Sequence, residues 1–218
     1  MLRKSFKIAM NGVQRRNYCH SKQTNHQNEV TYVINHDGDS GQSKMLSGQT
    51  LKKSHPILHC LGETEELNSF LGLARVYARE NNHPYVEHLK RIQTVLIDLS
   101  NYISKVPTEA DSDLAVHTKE MEEWLEAYSP QVTPVENNYI VPGGSQASAS
   151  LMIARTICRR AERSAVGLVE EKVLHQDVTA YLNRLGDFLL MLSRIATKLD
   201  ERTEYVYIPK PEPKKNGT

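Results

Sequence analysis

The stretch Pro142-Gly-Gly-Ser-Gln-Ala-Ser-Ala-Ser-Leu-Met-Ile-Ala-Arg-Thr-Ile-Cys-Arg-Arg-Ala-Glu-Arg163 decides how the rest of the chain is read. Gly143 and Gly144 break the chain, and Ser145 offers a hydroxyl to the first free N–H groups of the segment after it. Leu151, Ala154, Cys158, Ala161 and Ala165 then recur at three- and four-residue steps, which predicts a helix with one apolar stripe. Arg155, Arg159 and Arg163 lie one turn apart on it, with Arg160 beside them and Glu162 among them. Like charges at this spacing repel by a few tenths of a kcal/mol, so the helix alone gains nothing from the ladder. A polyanion does gain, because guanidinium forks bind phosphate oxygens bidentately. On pattern alone, a solvated charged face is the competing reading.

A second stretch, Tyr181-Leu-Asn-Arg-Leu-Gly-Asp187, places Asn183 and Asp187 one turn apart with Arg184 adjacent. By itself this is equally a surface hydrogen-bond and ion-pair cluster. Together the two segments resemble the ATP:cob(I)alamin adenosyltransferases of the trimeric, helix-bundle type, over most of Gly38 to Lys198. In that family a Cys-Arg-Arg-Ala-Glu-Arg helix and a Leu-Asn-Arg-Leu-x-Asp helix line an ATP site. The resemblance therefore implies ATP contacts for Arg159, Arg160, Glu162, Arg163 and Asn183, and inter-helix ion pairing for Arg184 and Asp187. It implies an all-α, five-helix up-and-down bundle of the ferritin-like or adenosyltransferase-like kind, assembling as a homotrimer with sites between subunits. The reaction it implies transfers the 5′-deoxyadenosyl group of ATP, bound with Mg²⁺, to cob(I)alamin, releasing triphosphate.

Upstream, Val30–Ile34 is short and β-branched, and Asn35 to Ser43 is rich in turn formers. Small residues there bring backbone N–H groups close to phosphates, although ordinary turns share this composition. Relatives carry a Thr-x-Thr-Gly-Asp-x-Gly segment at this point that wraps the triphosphate. Gly38, Asp39 and Gly41 keep the pattern and Ser43 a later hydroxyl, while Asn35 and Asp37 stand where the two threonines would be. An uncompensated carboxylate about 4 Å from a phosphate charge costs about 4 kcal/mol at an effective dielectric near 20. That is roughly three powers of ten in affinity. Lys53 falls at a phosphate-contacting lysine of the family.

Gly62-Glu-Thr-Glu-Glu-Leu-Asn68 is expected to open the first long helix, its acids favouring the helix dipole. The resemblance pairs Glu65 across a subunit boundary with Arg155, where relatives have an aspartate. It also gives Tyr139 the place of an aromatic that covers the lower face of the corrin, a phenylalanine in most relatives. A plain buried tyrosine is the alternative. Apolar periodicity predicts further helices through Leu89–Ile103, Met121–Tyr128 and Val178–Ile195. A loop is expected over Pro107–Asp113, and an extended segment over Tyr205–Ile208.

The 218 residues allow one domain with tails; aromatics are sparse at 6%, while the leucine, alanine and glutamate content suits helices. Residues 1–28 contain no Asp or Glu, the composition of a mitochondrial transit peptide or a basic tail, with residues 29–208 as the adenosyltransferase domain and 209–218 as a disordered tail. Removing the first 18 residues takes away five positive charges and no negative one, leaving the +1 chain at −4. A mildly acidic body has no nucleic-acid footprint, and no stretch approaches the roughly 20 apolar residues that span a bilayer. Cys19, Cys60 and Cys158 lack metal or disulfide spacing. With that N-terminal segment, the resemblance implies a matrix enzyme, served by a cobalamin reductase and supplying an adenosylcobalamin-dependent acceptor enzyme. A cobalamin carrier with a weakened ATP site is the alternative. A di-metal carboxylate bundle needs two Glu-x-x-His motifs on helices, and Glu80-x-x-His83 has no second copy there.

Overall fold

The computed structural model describes residues 20–24, 30–34, 36–105, 113–134 and 139–208. Asn35, most of the Pro107–Asp113 loop, residues 1–19 and the 209–218 tail lie outside the described residues. The chain divides into two units, Met1–Lys53 and Ser54–Thr218.

In the first unit β1 (His20–Thr24) pairs antiparallel with β2 (Val30–Ile34), and β3 (Gln42–Lys44) with β4 (Thr50–Lys52). His20–Thr24 thus form a strand inside the segment expected as a leader.

The second unit is the expected bundle of five helices: α1 (Pro56–Glu80), α2 (Val86–Lys105), α3 (Leu114–Tyr128), α4 (Gln146–Glu170) and α5 (Gln176–Leu199). Short links join α1 to α2 and α4 to α5, as antiparallel neighbours require. The long helix α4 packs between α1 and α5, while α2 lies on α1 and α3 on α5. The stripe read from the sequence is the buried face: Leu151, Ala154, Cys158, Ala161 and Ala165 are all fully buried. Leu67, Leu71, Ala74 and Ala78 meet them from α1, and Val178, Leu182, Leu185, Phe188, Leu189 and Leu192 line α5. Four small side chains on α4 let it sit close to both neighbours.

The start of α1 corrects the sequence reading. The helix begins at Pro56, with the His55 side chain accepting a hydrogen bond from the Ile57 N–H. Proline needs no partner at a first helical position, and burial of Ile57, Cys60 and Leu61 carries the helix through Gly62. The first turn holds no acid, so Glu63, Glu65 and Glu66 are not dipole partners and face other tasks.

At α4 the expected cap is present: Ser145 Oγ accepts from the Ser148 N–H at 3.2 Å. Gly144 before it has φ +92°, and a Cβ there would lie 2.5 Å from Thr197 Oγ1. Gly144→Ala is expected to cost about 2–4 kcal/mol, from left-handed strain plus overlap. The midpoint of urea unfolding measures it, and an unchanged midpoint would refute this packing.

His88 of α2 stacks on Trp124 of α3 at 4.4 Å between centroids, with Tyr128 and Phe188 around it. Burial in this apolar cluster pushes its pKa down, against a smaller upward pull from Glu120. A lowered histidine leaves stability untouched above the unfolded value near 6.5. Below that value the unfolded chain takes up the proton first, so stability falls as pH drops toward the folded pKa. Denaturation midpoints at about pH 7 and about pH 5 should therefore differ less in His88→Gln than in the parent.

Outside the helices of this unit, β5 (Tyr139–Ile140) and β6 (Val206–Tyr207) pair antiparallel, with Tyr139 opposite Tyr207. No helix among the described residues is long and apolar enough to cross a membrane.

Candidate functional site

The two motif helices converge on one hydrogen bond. Arg159 on α4 donates from Nη1 to Asn183 Oδ1 on α5 at 2.7 Å, joining the arginine ladder to the Leu-Asn-Arg-Leu stretch. The same Nη1 lies 2.6 Å from Glu162 Oε2, one turn along α4. That contact is an ion pair by distance but lacks hydrogen-bond geometry, since Glu162 Oε2 is buried with no donor. Gly186 is what lets Arg159 lie there: a Cβ at that position would stand 3.2 Å from Arg159 Cδ. Arg159 keeps 40% of its side chain exposed, so its fork is seated on one edge and open on the other.

Arg160 turns the other way. It donates from Nη2 to Glu66 on α1, and its Nε lies 3.7 Å from Glu63. The acids of α1 therefore fasten α4, and Arg160 keeps 43% of its side chain exposed. Arg163 is exposed, one turn beyond Arg159. Arg155 is half-buried, and its Nε is buried without an acceptor. Buried donors are nearly always paired, so this guanidinium is incompletely satisfied among the described residues of one chain. Glu65 is half-buried on α1.

Arg184 does pair between helices, though through a residue the sequence did not single out. Its Nε donates to Glu122 on α3 at 3.0 Å, while Asp187 binds its Nη1 at 3.1 Å within α5. Asp187 is thus an i,i+3 partner on the same helix, and Glu122 makes the inter-helix contact.

Within the first unit, the expected phosphate loop brings its residues together. Asp39 N donates to the His36 carbonyl, Gly41 N to the Gly38 carbonyl, and Lys53 N to the Gly41 carbonyl. Gly41 has φ +75°, and a Cβ on Gly38 would come 3.2 Å from Lys53 Nζ. The lysine ammonium thus lies over the glycine turn. Asp39 Oδ2 takes the His36 Nδ1 at 2.9 Å, and Ser43 sits on β3 opposite Leu51.

Tyr139 is 72% exposed, which removes the buried-tyrosine alternative. Tyr205, Tyr207 and Ile208 are also exposed beside its ladder. Neither described cysteine supplies a nucleophile. Cys60 and Cys158 are fully buried, and burial pushes the Cys60 thiol up to about 12, with Glu63 adding to it. The Cys158 thiol is likewise raised by burial, and its Sγ donates to the Leu182 carbonyl. The thiolate is the reactive form.

A family model described as cobalamin adenosyltransferase matches residues 33–196. The chain belongs to the cobalamin adenosyltransferase family. As a member it is an ATP:corrinoid adenosyltransferase, a transferase. It is 33% identical over 189 residues to corrinoid adenosyltransferase MMAB of Homo sapiens, covering 82% of this chain and 74% of that protein. It is 36% identical over 163 residues to the corrinoid adenosyltransferase of Bacillus subtilis, covering 72% and 82%. The fold matches a variant PduO-type ATP:corrinoid adenosyltransferase from Lactobacillus reuteri complexed with cobalamin and ATP, with TM-score 0.72 and 32% identity. That match covers 79% of this chain and 97% of the other.

Sequence reading of this adenosyltransferase missed Glu63, Glu66, Glu122 and Gly186. The glycine alone left a signal, as the variable position inside the Leu-Asn-Arg-Leu-x-Asp motif.

Proposed function

We propose a division of the adenosyl transfer among this chain's residues. Arg159, Arg163 and Asn183 contact ATP directly, with Glu162 fixing the Arg159 fork. Arg160, shared with Glu63 and Glu66, contributes charge more than a bidentate grip. Gly38, Asp39, Gly41, Ser43 and Lys53 contact the triphosphate, and Arg155 with Glu65 forms a catalytic ion pair between subunits of a homotrimer. Exposed apolar side chains on α1 and α4 (Leu73, Val76, Ile153) support such an assembly. The observation that carries the reading is the 2.7 Å contact between Arg159 and Asn183, which makes one site of two separate motifs.

In the transfer, the electron pair of Co(I) forms the bond to the ATP 5′ carbon, and the C5′–O bond breaks with its pair leaving on triphosphate. The corrinoid carries the nucleophile, so the protein's work is positioning and charge stabilisation. Fixed guanidinium groups aimed at the departing phosphates do that without reorganising during the reaction. Mg²⁺ fits as a companion of the nucleotide. Among the described residues no group of three His, Cys, Asp or Glu could hold a metal alone, and Mg²⁺ is ordinarily held by one or two carboxylates plus substrate phosphates. Asp39, next in sequence to the Gly38 over which Lys53 lies, is the carboxylate we assign to it, and a bound ion would supply phosphate charge neutralisation.

Tyr139 covers the lower corrin face and keeps the axial base from cobalt, which makes reduction of cob(II)alamin accessible. Its exposure beside Tyr207 supports this role. The acid-free residues 1–28 support a mitochondrial matrix location, where a cobalamin reductase would supply Co(I) and an adenosylcobalamin-dependent enzyme would take the product. An anaerobic assay tests the reaction. Chemically reduced cob(I)alamin should lose its absorbance only when ATP and Mg²⁺ are added, with one triphosphate formed per adenosylcobalamin. Loss without ATP, or no loss with it, would overturn the assignment.

A further inference from the structure

The β5–β6 ladder that carries Tyr139 is only two residues long on each strand. A two-stranded ribbon of that size does not hold its own position in water. Its anchors therefore decide where Tyr139 stands, and one of them is a two-point ion pair. Arg194 on α5 donates from Nε to Glu204 Oε1 and from Nη2 to Oε2, both at 2.8 Å. The side chains are 12% and 26% exposed, so the bidentate pair is largely shielded from water.

From Glu204 the connection to Tyr139 is short and direct. The next residue, Tyr205, accepts the Val141 N–H at its carbonyl at 2.9 Å. Val206 then pairs with Ile140, and Tyr207 with Tyr139. The ribbon lies close on the helices beneath it. The cavity under it, lined by Ile140, Gly144, Ser148, Arg194, Thr197 and Glu204, measures about 10 Å³, room for a single water at most. Yet the ribbon's outer side chains are exposed, so the pair fastens a segment that adds little to the core. Shielded ion pairs are poor sources of net stability, and their best-attested use is to fix one arrangement among several.

We propose that Arg194 and Glu204 are positioning residues that hold Tyr139 in register to exclude the lower axial ligand of the corrinoid. The inference rests on the role given to Tyr139 under the proposed function. It predicts a selective defect, because cob(I)alamin has no lower ligand to displace while cob(II)alamin does.

The test measures adenosylation by the full-length enzyme with ATP and Mg²⁺ from two starting points. One is fully pre-reduced cob(I)alamin, and the other is cob(II)alamin with a mild reductant. Electron paramagnetic resonance of the bound cob(II)alamin reports whether the base is on cobalt. In Glu204→Gln, the rate from cob(II)alamin should fall about tenfold or more beyond any fall from cob(I)alamin, since misplacement near 1 Å costs up to about a hundredfold. The base-on signal should grow in parallel. Arg194→Lys, which keeps the charge but not the two-point contact, should shift both readouts the same way and by less. It serves as the decisive variant if Glu204→Gln fails to fold. Equal falls from both starting points, or none from either, would overturn the inference. Tyr139→Ala separates the two layers. If it is selective and the Arg194 and Glu204 variants are not, the inference fails alone. If Tyr139→Ala is not selective, the reading of Tyr139 itself is wrong.

Discussion

Arg159→Ala is expected to lower kcat/KM for ATP by about two to three powers of ten, with helix content and melting temperature close to the parent. The size comes from the seat of the side chain. One edge of the fork is held by Asn183 and Glu162, and the other is open. A charge-assisted hydrogen bond contributes roughly 1.5–3 kcal/mol; two lost to the phosphates from a partly exposed fork count near the lower end of that range, about 3–4 kcal/mol, and each 1.36 kcal/mol is about tenfold in rate. The fold should tolerate the change because 40% of the side chain is already exposed and the α4 stripe beneath it is untouched. The cost to stability is the Glu162 carboxylate left without its cation, about 1–2 kcal/mol because one of its oxygens is buried while the arginine is partly exposed. Steady-state kinetics with varied ATP, alongside thermal melts, check both halves. A wild-type kcat/KM would remove α4 from the nucleotide site.

Arg155→Ala is expected to reduce kcat by about a hundredfold or more while ATP affinity changes less than about tenfold. Its Nε is buried without an acceptor, an arrangement that is rare unless a further partner completes it. If Glu65 of a neighbouring subunit is that group's counter-charge, the two substitutions must be non-additive. Arg155→Ala combined with Glu65→Ala should then be no worse than Arg155→Ala alone. Mixing supplies a sharper check. When Arg155→Ala and Glu65→Ala chains are unfolded, combined in equal amounts and refolded, about a quarter of head-to-tail interfaces regain an intact pair. Activity should return to roughly that fraction. Mixed preparations as dead as either parent would place the pair within one chain or dismiss it.

The bundle was legible because its core obeys helix periodicity. Every one of Leu151, Ala154, Cys158, Ala161 and Ala165 is fully buried, and Ser145 caps where a serine after two glycines should. What misled was Gly62, read as a boundary although a helical glycine costs only about 1 kcal/mol. Pro56 and the His55 cap mark the true start. The inter-helix carboxylate partners of Arg160 and Arg184 were not legible at all. Whether Arg160 meets Glu63 and Glu66, or Arg184 meets Glu122, depends on how each helix is rotated against its neighbour. Spacing within one helix carries no such information. The pairing of Tyr139 with Tyr207 joins strands separated by the whole of α4 and α5, beyond the reach of any local pattern. The loop was half legible: Gly38 and Gly41 predicted a turn, and the structure adds that Lys53 lies over it.

The central claim is that the α4 ladder and Asn183 hold the phosphates of ATP, against the alternative of a corrinoid carrier that has lost its nucleotide. Calorimetric titration of ATP with Mg²⁺ into the intact protein and into Arg159→Ala tests this most directly. Saturable binding by the parent is predicted, with affinity about a hundredfold weaker in the variant. No heat from the parent, or identical isotherms from the two proteins, would contradict it.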